Sequence, residues 1–242
     1  MTTIRIPYEL NGRQFEGAIV FDDSVKTKRP AIFTQPDWKG VCADSIAQAQ
    51  TAAGSHYVML MADMFGIGYG ESEHSQEELR ANMLAVHDDL AFTLACGNAA
   101  YKALTLEASK RGLIEEKNTG AIGFCAGAGF ALEQARAGAD FRGLVAFHTT
   151  NPNPVVPDTP CNIKGRILAI HGADDQITPK PQMDALASEL TAAKVDWQIM
   201  MFGGAVHSFC DPTVHAGPVR YDEKLCKQSL KMMHEFFTQT FT

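Results

Sequence analysis

Short runs of consecutive apolar residues alternate along this chain with longer stretches in which apolar residues recur every three or four positions. The first pattern suits strands buried on both faces, and the second suits helices that cover them. The chain therefore reads as α/β, with a mostly parallel central sheet and helices on both faces. The strand candidates are residues 31–34, 57–62, 120–124, 144–147, 167–170 and 197–202. Ahead of them, residues 3–10 and 14–21 flank Asn11-Gly12, a dipeptide that tolerates the left-handed backbone of a two-residue turn. That predicts an N-terminal antiparallel hairpin.

Helix boundaries are marked by capping chemistry. Ser75 and Glu78 form a capping-box pattern, opening a helix whose apolar residues include Leu79, Met83, Leu90 and Leu94. Thr178 followed by Pro179 predicts an N-cap with proline at the first helical position, ahead of Met183, Leu186 and Leu190. A last helix starts near Asp222 and buries Leu230, Met233 and Phe237. Two connections stand out: residues 63–74 carry three glycines and residues 149–164 carry four prolines. Each follows a strand, which assigns both to the carboxyl edge of the sheet, where open α/β folds bind ligands. With 242 residues and no internal repeat, the whole chain, 1–242, is expected to form a single domain.

Charge and cysteine usage narrow the function classes. A formal net charge of −7 without a Lys/Arg cluster argues against nucleic-acid partners. Lys26, Lys28 and Arg29 read as a solvated edge. No apolar stretch approaches the roughly 20 residues that span a bilayer, and the N-terminus lacks the apolar run of a signal peptide. A cytoplasmic protein with no membrane partner is the expectation. The six cysteines, at 42, 96, 125, 161, 210 and 226, include no Cys-x-x-Cys pair, so reduced thiols are expected. No His-x-x-x-His or Cys-x-x-Cys pair offers chelating spacing, so no metal is expected.

The chemistry concentrates in Ala121-Ile-Gly123-Phe-Cys125-Ala126-Gly127-Ala-Gly129, an apolar strand running through Gly-x-Cys-x-Gly into a helix of small residues. This is the pattern of a nucleophile elbow, with cysteine at the apex. The tight turn strains the central residue and requires glycines two positions away on either side. A thiol at the following helix N-terminus is biased toward thiolate. The competing dinucleotide-binding pattern fails, because Leu132 stands where a Gly or Ala is needed. A nucleophile needs a base, and the base needs a group to orient it. Downstream, the loop His171-Gly-Ala-Asp174-Asp175 leaves a strand and offers either aspartate as the acid. After the next strand, Gly203-Gly-Ala-Val-His207 delivers a histidine. His148 and His171 each end a strand and read as structural residues.

These segments resemble the dienelactone hydrolase family of α/β-hydrolases. The resemblance rests on Gly123-Phe-Cys-Ala-Gly127, on Gly172-Ala-Asp-Asp175 with Pro179, and on Gly204-Ala-Val-His207-Ser-Phe209. Ala62-Asp63-Met-Phe-Gly66, Tyr221-Asp222 and Phe236-Phe237 extend it along nearly the whole chain. It implies an α/β-hydrolase fold and a triad of Cys125, Asp175 and His207, selecting Asp175 over Asp174. From the loop Asp37-Trp38-Lys39-Gly40 it implies an auxiliary acid, Asp37, that regulates the thiol. It also implies an oxyanion hole from the backbone N–H groups of Trp38 and Ala126. One departure concerns the substrate. The family's dienelactone-cleaving members hold a substrate carboxylate with an arginine shortly after the triad histidine, whereas here Phe209-Cys210-Asp211-Pro212 presents a negative charge.

The expectation is thus a hydrolase of a small-molecule ester or lactone, acting through an acyl-enzyme, as a monomer or weak homodimer. Acyl transfer through side chains alone would need no cofactor. The alternative from another class is a non-catalytic scaffold that binds a ligand or senses oxidants through Cys125.

Overall fold

A computed structural model describes residues 1–242. The fold is α/β, with mostly parallel strands. It divides into two compact units, residues 1–120 and 121–242.

The N-terminal unit opens with the hairpin of β1 (Thr2–Leu10) and β2 (Arg13–Phe21), paired from Thr2↔Phe21 to Leu10↔Arg13. Asn11 and Gly12 make the turn at φ 51° and 79°, the left-handed pair that Asn-Gly tolerates. β3 (Arg29–Gln35), α1 (Ala43–Ala53) and β4 (Val58–Met61) follow, then α2 (Gln76–Asp88) and α3 (Leu90–Lys110). The strand order here is β1-β2-β4-β3, with β3 and β4 parallel. Asp63 locks the chain after β4: its carboxylate accepts the backbone N–H groups of Glu16, Phe65 and Gly66.

β5 (Ile114–Phe124) leads into the C-terminal unit. There α4 (Ala126–Arg136), β6 (Gly143–Phe147), β7 (Arg166–Gly172), α5 (Lys180–Ala192) and β8 (Trp197–Phe202) alternate. A small ribbon of β9 (His215–Ala216) and β10 (Val219–Arg220) precedes α6 (Glu223–Thr240). Strands β5, β6, β7 and β8 pair in that order, all parallel. Every residue of β6 is buried, as a strand covered on both faces must be, and α4 and α6 pack on it. Phe236 of α6 comes so close to Gly143 that a Cβ there would lie 2.7 Å from its ring.

Five details depart from the sequence reading. The single helix expected after Ser75 breaks at Asp89, whose carboxylate accepts the N–H of Phe92 and starts α3 afresh. β5 begins six residues before the apolar run, through exposed Glu115, Glu116 and Lys117. Helix α5 is capped at Pro179 rather than Thr178, because the Thr178 N–H is taken by the Asp175 carboxylate. Arg29 is buried rather than solvated, while Lys26 and Lys28 are exposed as expected. In α6, Met233 and Phe237 are buried as expected, but Leu230 is only half-buried.

α4 is buried along its whole length, charged residues included. Arg136, 1 % exposed, donates to Glu133 at 3.0 Å, to Glu189 of α5 at 2.7 and 2.8 Å, and to the carbonyl of Pro152. Glu133 also accepts the Val155 N–H. A buried ion network therefore ties the proline-rich segment after β6 to the helix that starts at Cys125. Arg136→Ala is expected to destabilise the protein by about 3–5 kcal/mol, because Glu133 would be left charged and buried without its partner. Urea denaturation of the variant beside wild type measures this directly.

Candidate active site

The turn from β5 into α4 is set by sterics. Cys125 sits between them at φ 53°, ψ −122°, a conformation that side chains rarely adopt. Its N–H donates to the Phe147 carbonyl of the neighbouring strand, which holds the strained residue at the sheet edge. Gly123 makes the turn possible: a Cβ at that position would lie 2.4 Å from Ala128 Cα and N and from Gly127 O. The strain and the glycine together expose the Cys125 side chain over the strand ends. The first N–H of α4, that of Ala126, has no carbonyl to bond within the helix.

Two further loops converge on Cys125. β7 ends at Gly172, where a Cβ would sit 2.4 Å from the Ala205 carbonyl. Ala173 N–H bonds to Phe202 O and Asp174 N–H to Ala205 O, so the loops after β7 and β8 are laced together. Asp174 is exposed, whereas Asp175 is buried. One oxygen of Asp175 accepts the N–H groups of Ile177 and Thr178, each at 2.8 Å. The other lies 2.7 Å from Nδ1 of His207. Nε2 of His207 lies 3.2 Å from Sγ of Cys125. Three residues from three strand ends thus form one continuous chain, carboxylate to imidazole to thiol. Of the two aspartates, Asp175 is the one whose carboxylate reaches His207.

The electrostatics follow from that chain. Burial alone would push the His207 pKa down. The negative charge and hydrogen bond of Cys125 and the hydrogen bond and charge of Asp175 overcome it and raise the value to about 10. His207 is therefore a cation when the thiol is ionised, the pairing that a nucleophilic thiolate requires. The neighbouring histidines behave oppositely. His148, edge-on to His207 at 5.4 Å, is held well below the ordinary range by burial and by the charge on His207. His171, whose Nε2 meets the Thr178 carbonyl at 2.8 Å, is also lowered by burial. Both are buried close to His207 or to its carboxylate partner.

Asp37 and Trp38 lie in the N-terminal unit, on the loop after β3, and both are half-buried. The Asp37 carboxylate accepts the Lys39 N–H at 2.8 Å, and its carbonyl accepts the Gly40 N–H. The Trp38 carbonyl accepts from the Tyr69 hydroxyl at 3.2 Å. Asp211, the acid that stands where the family's arginine is expected, is buried and caps its own turn through Thr213 N–H and Oγ1.

Two features were not anticipated. Cys210 and Cys226 form a disulfide, so the expectation of six reduced thiols fails there. Irregular cysteine spacing hid the pair, which α6 brings back beside the His207 loop. Thr150, on the segment after β6, places Oγ1 3.3 Å from both Cys125 Sγ and His207 Nε2. A threonine within a loop carries no sequence signal for such a position. No cluster of His, Cys, Asp and Glu is arranged to hold a metal, and no helix is long and apolar enough to cross a membrane.

A family model described as the dienelactone hydrolase family matches residues 15–241. The chain belongs to that family. Among dienelactone hydrolase-like solved structures it is similar to one named m3DLH, with 31% identity, a TM-score of 0.89, and coverage of 100% of this chain and 99% of that one. It is equally similar in fold to the dienelactone hydrolase-like promiscuous phosphotriesterase P91 from metagenomic libraries, with 28% identity, a TM-score of 0.89 and the same coverage. An uncharacterized protein of Caenorhabditis elegans, K02A2.1, is 32% identical over 133 residues, which is 53% of this chain and 84% of that protein. Dienelactone hydrolase membership makes the chain an α/β-hydrolase and a hydrolytic enzyme of the carboxylic ester type. The non-catalytic scaffold reading is set aside on that ground.

The raised His207 value depends on the cysteine, so Cys125→Ala is expected to lower it, as read from the imidazole resonances in an NMR titration. The folded value exceeds the unfolded one of about 6.5. The stability that protonated His207 contributes is therefore complete below that pH and is lost as pH rises toward about 10. A wild-type stability profile that falls over that window, and flattens in Cys125→Ala, is the expected outcome.

Proposed function

We propose that this enzyme hydrolyses a small ester or lactone through an acyl-enzyme on Cys125. The observation that carries the reading is the relay from Asp175 Oδ2 through His207 to Cys125 Sγ, at 2.7 and 3.2 Å. His207 takes the thiol proton, and the Cys125 thiolate attacks the carbonyl carbon. The resulting oxyanion is met by the N–H of Ala126. Collapse of the tetrahedral intermediate expels the alkoxide, which takes the proton back from His207. A water deprotonated by His207 then attacks the thioester and regenerates the thiol. Asp175 keeps Nδ1 protonated, so that Nε2 is the nitrogen that exchanges protons. The Trp38 N–H as second oxyanion donor and Asp37 as auxiliary acid are carried over from the family resemblance.

By the family resemblance, Asp211 stands in the stretch where dienelactone-cleaving members carry the arginine that binds a substrate carboxylate, so this chain lacks that cation there. Neutral activated esters and lactones are accordingly the proposed substrates, with no cofactor. The likeness to P91 motivates including a phosphotriester in the assay. We read residues 1–242 as one functional domain, supported by a family match running through both units. A monomer or weak homodimer is the proposed state. The cytoplasmic reading meets one contrary feature in the Cys210–Cys226 bridge, since disulfides persist mainly in oxidising compartments.

Hydrolysis of p-nitrophenyl esters, simple lactones and a phosphotriester by wild type, Cys125→Ala and Asp175→Asn tests the proposal. Cys125→Ala is expected to lose at least about four orders of magnitude in kcat, and Asp175→Asn about three to four. Ester hydrolysis that survives in Cys125→Ala would sink the acyl-enzyme mechanism.

A further inference from the structure

Resting on the Cys125 nucleophile reading, we infer that the Thr150 hydroxyl is a further catalytic group, holding the Cys125–His207 pair in its charge-separated form. Its Oγ1 closes a triangle with the two reacting atoms: 3.3 Å to Sγ, 3.3 Å to Nε2, and 3.2 Å between those two. The argument is one of hydrogen-bond strength. With a neutral thiol and neutral imidazole, the S–H donates to Thr150 Oγ1 while the Thr150 O–H donates to Nε2, or the S–H takes Nε2 and the O–H the sulfur. In either arrangement every bond joins neutral groups and includes the weak thiol. Once the thiol proton has moved to Nε2, the imidazolium N–H and the Thr150 O–H both point at the sulfur. A thiolate has lone pairs for both, and bonds to an ionised acceptor are roughly twice as strong as neutral ones. The hydroxyl therefore favours the ionised pair over the neutral one without itself gaining or losing a proton.

The hydroxyl is held in place from several directions. Thr150 N–H donates to the Cys125 carbonyl at 3.0 Å. Its own carbonyl packs on α4 so closely that a Cβ on Gly129 would lie 2.5 Å away. Flanking residues His148 and Asn151 adopt φ 35° and 50°, which bends the segment back over the elbow. The next residue, Pro152, is tied down by Arg136. Thr149 is turned away, with its hydroxyl on the Thr150 carbonyl.

The titratable groups that face the pair from the surrounding elements are few. Asp175, after β7, bonds Nδ1 of His207. His171, at the end of β7, lies 3.6 Å from the other side of that same carboxylate oxygen. His148, at the end of β6, is edge-on to His207. Both of these histidines are lowered by burial.

The test is the rate of alkylation of Cys125 by iodoacetamide, read at the peptide level by mass spectrometry so that Cys42, Cys96 and Cys161 do not interfere. Rates are taken from about pH 5 to about pH 10 for wild type, Thr150→Val, Thr150→Ser and His207→Ala. Valine keeps the shape and removes the hydroxyl, while serine restores it. Thr150→Val is expected to shift the midpoint of thiolate formation upward by about one unit, a roughly tenfold change in the equilibrium. Its kcat/KM for an ester is expected to fall by a similar factor near neutral pH and to recover at higher pH, with Thr150→Ser close to wild type. A Thr150→Val profile that overlays wild type while His207→Ala shifts would overturn the inference and leave the triad standing. Wild-type Cys125 reacting no faster than free cysteine at every pH would overturn the nucleophile reading and the inference together.

Discussion

Holding a cysteine at φ 53° between a strand and a helix is unfavourable for any residue with a side chain, and the surrounding chain is arranged to enforce it. Gly123 lets α4 approach within a distance that no Cβ would permit, and the Cys125 N–H is committed to the neighbouring strand. Remove either constraint and the apex would relax toward ordinary helix, carrying the thiol away from the sheet edge. The same turn brings the helix start, with its free N–H groups, beside the sulfur. Position and electrostatic environment thus come from one backbone conformation.

The other participants are held by lacing between loops rather than by their own secondary structure. Gly172 admits the Ala205 carbonyl, Asp174 N–H ties to it, and Asp175 caps the turn that leads into α5 while gripping His207. Asp175 therefore stabilises the local backbone and orients the imidazole with the same carboxylate. On the opposite side, the buried Arg136 network fixes the segment that carries Thr150. Both supports are built from charges shielded from water. In such surroundings a small displacement of one group changes the protonation preference of the next.

Much of this was legible in the sequence, for identifiable reasons. The elbow is readable because its geometry admits so few residues, and glycine positions betray it. Asn11-Gly12 announced the hairpin on the same principle. His207 and an acid at Asp174 or Asp175 followed from chain order and from the strand ends that precede them, and the family resemblance selected Asp175. What escaped depends on long-range placement. Charged, exposed residues 115–117 masked the start of β5, because exposure rather than strand propensity governs their identity. Asp89 ended one helix and began another within a run that kept its apolar period. Arg29 looked like a solvated charge beside two lysines and is buried. Thr150 acquires its place only when the segment after β6 folds back over α4, a contact no local pattern encodes.

The bridge between Cys210 and Cys226 begins three residues beyond His207 and encloses the β9–β10 ribbon. Val219 of that ribbon pairs with His207 itself, and the Arg220 N–H bonds its carbonyl. The molecule thereby carries sulfur in two oxidation states close to His207 along the chain, a thiol on its imidazole and a cystine that closes the loop bonded to its backbone. Reductant and oxidant pull these two in opposite directions. Dithiothreitol that protects the nucleophile also opens the cross-link supporting its base, while an oxidant that preserves the cross-link attacks the nucleophile. Handling the enzyme is consequently a matter of redox window, bounded on one side by the thiol and on the other by the staple.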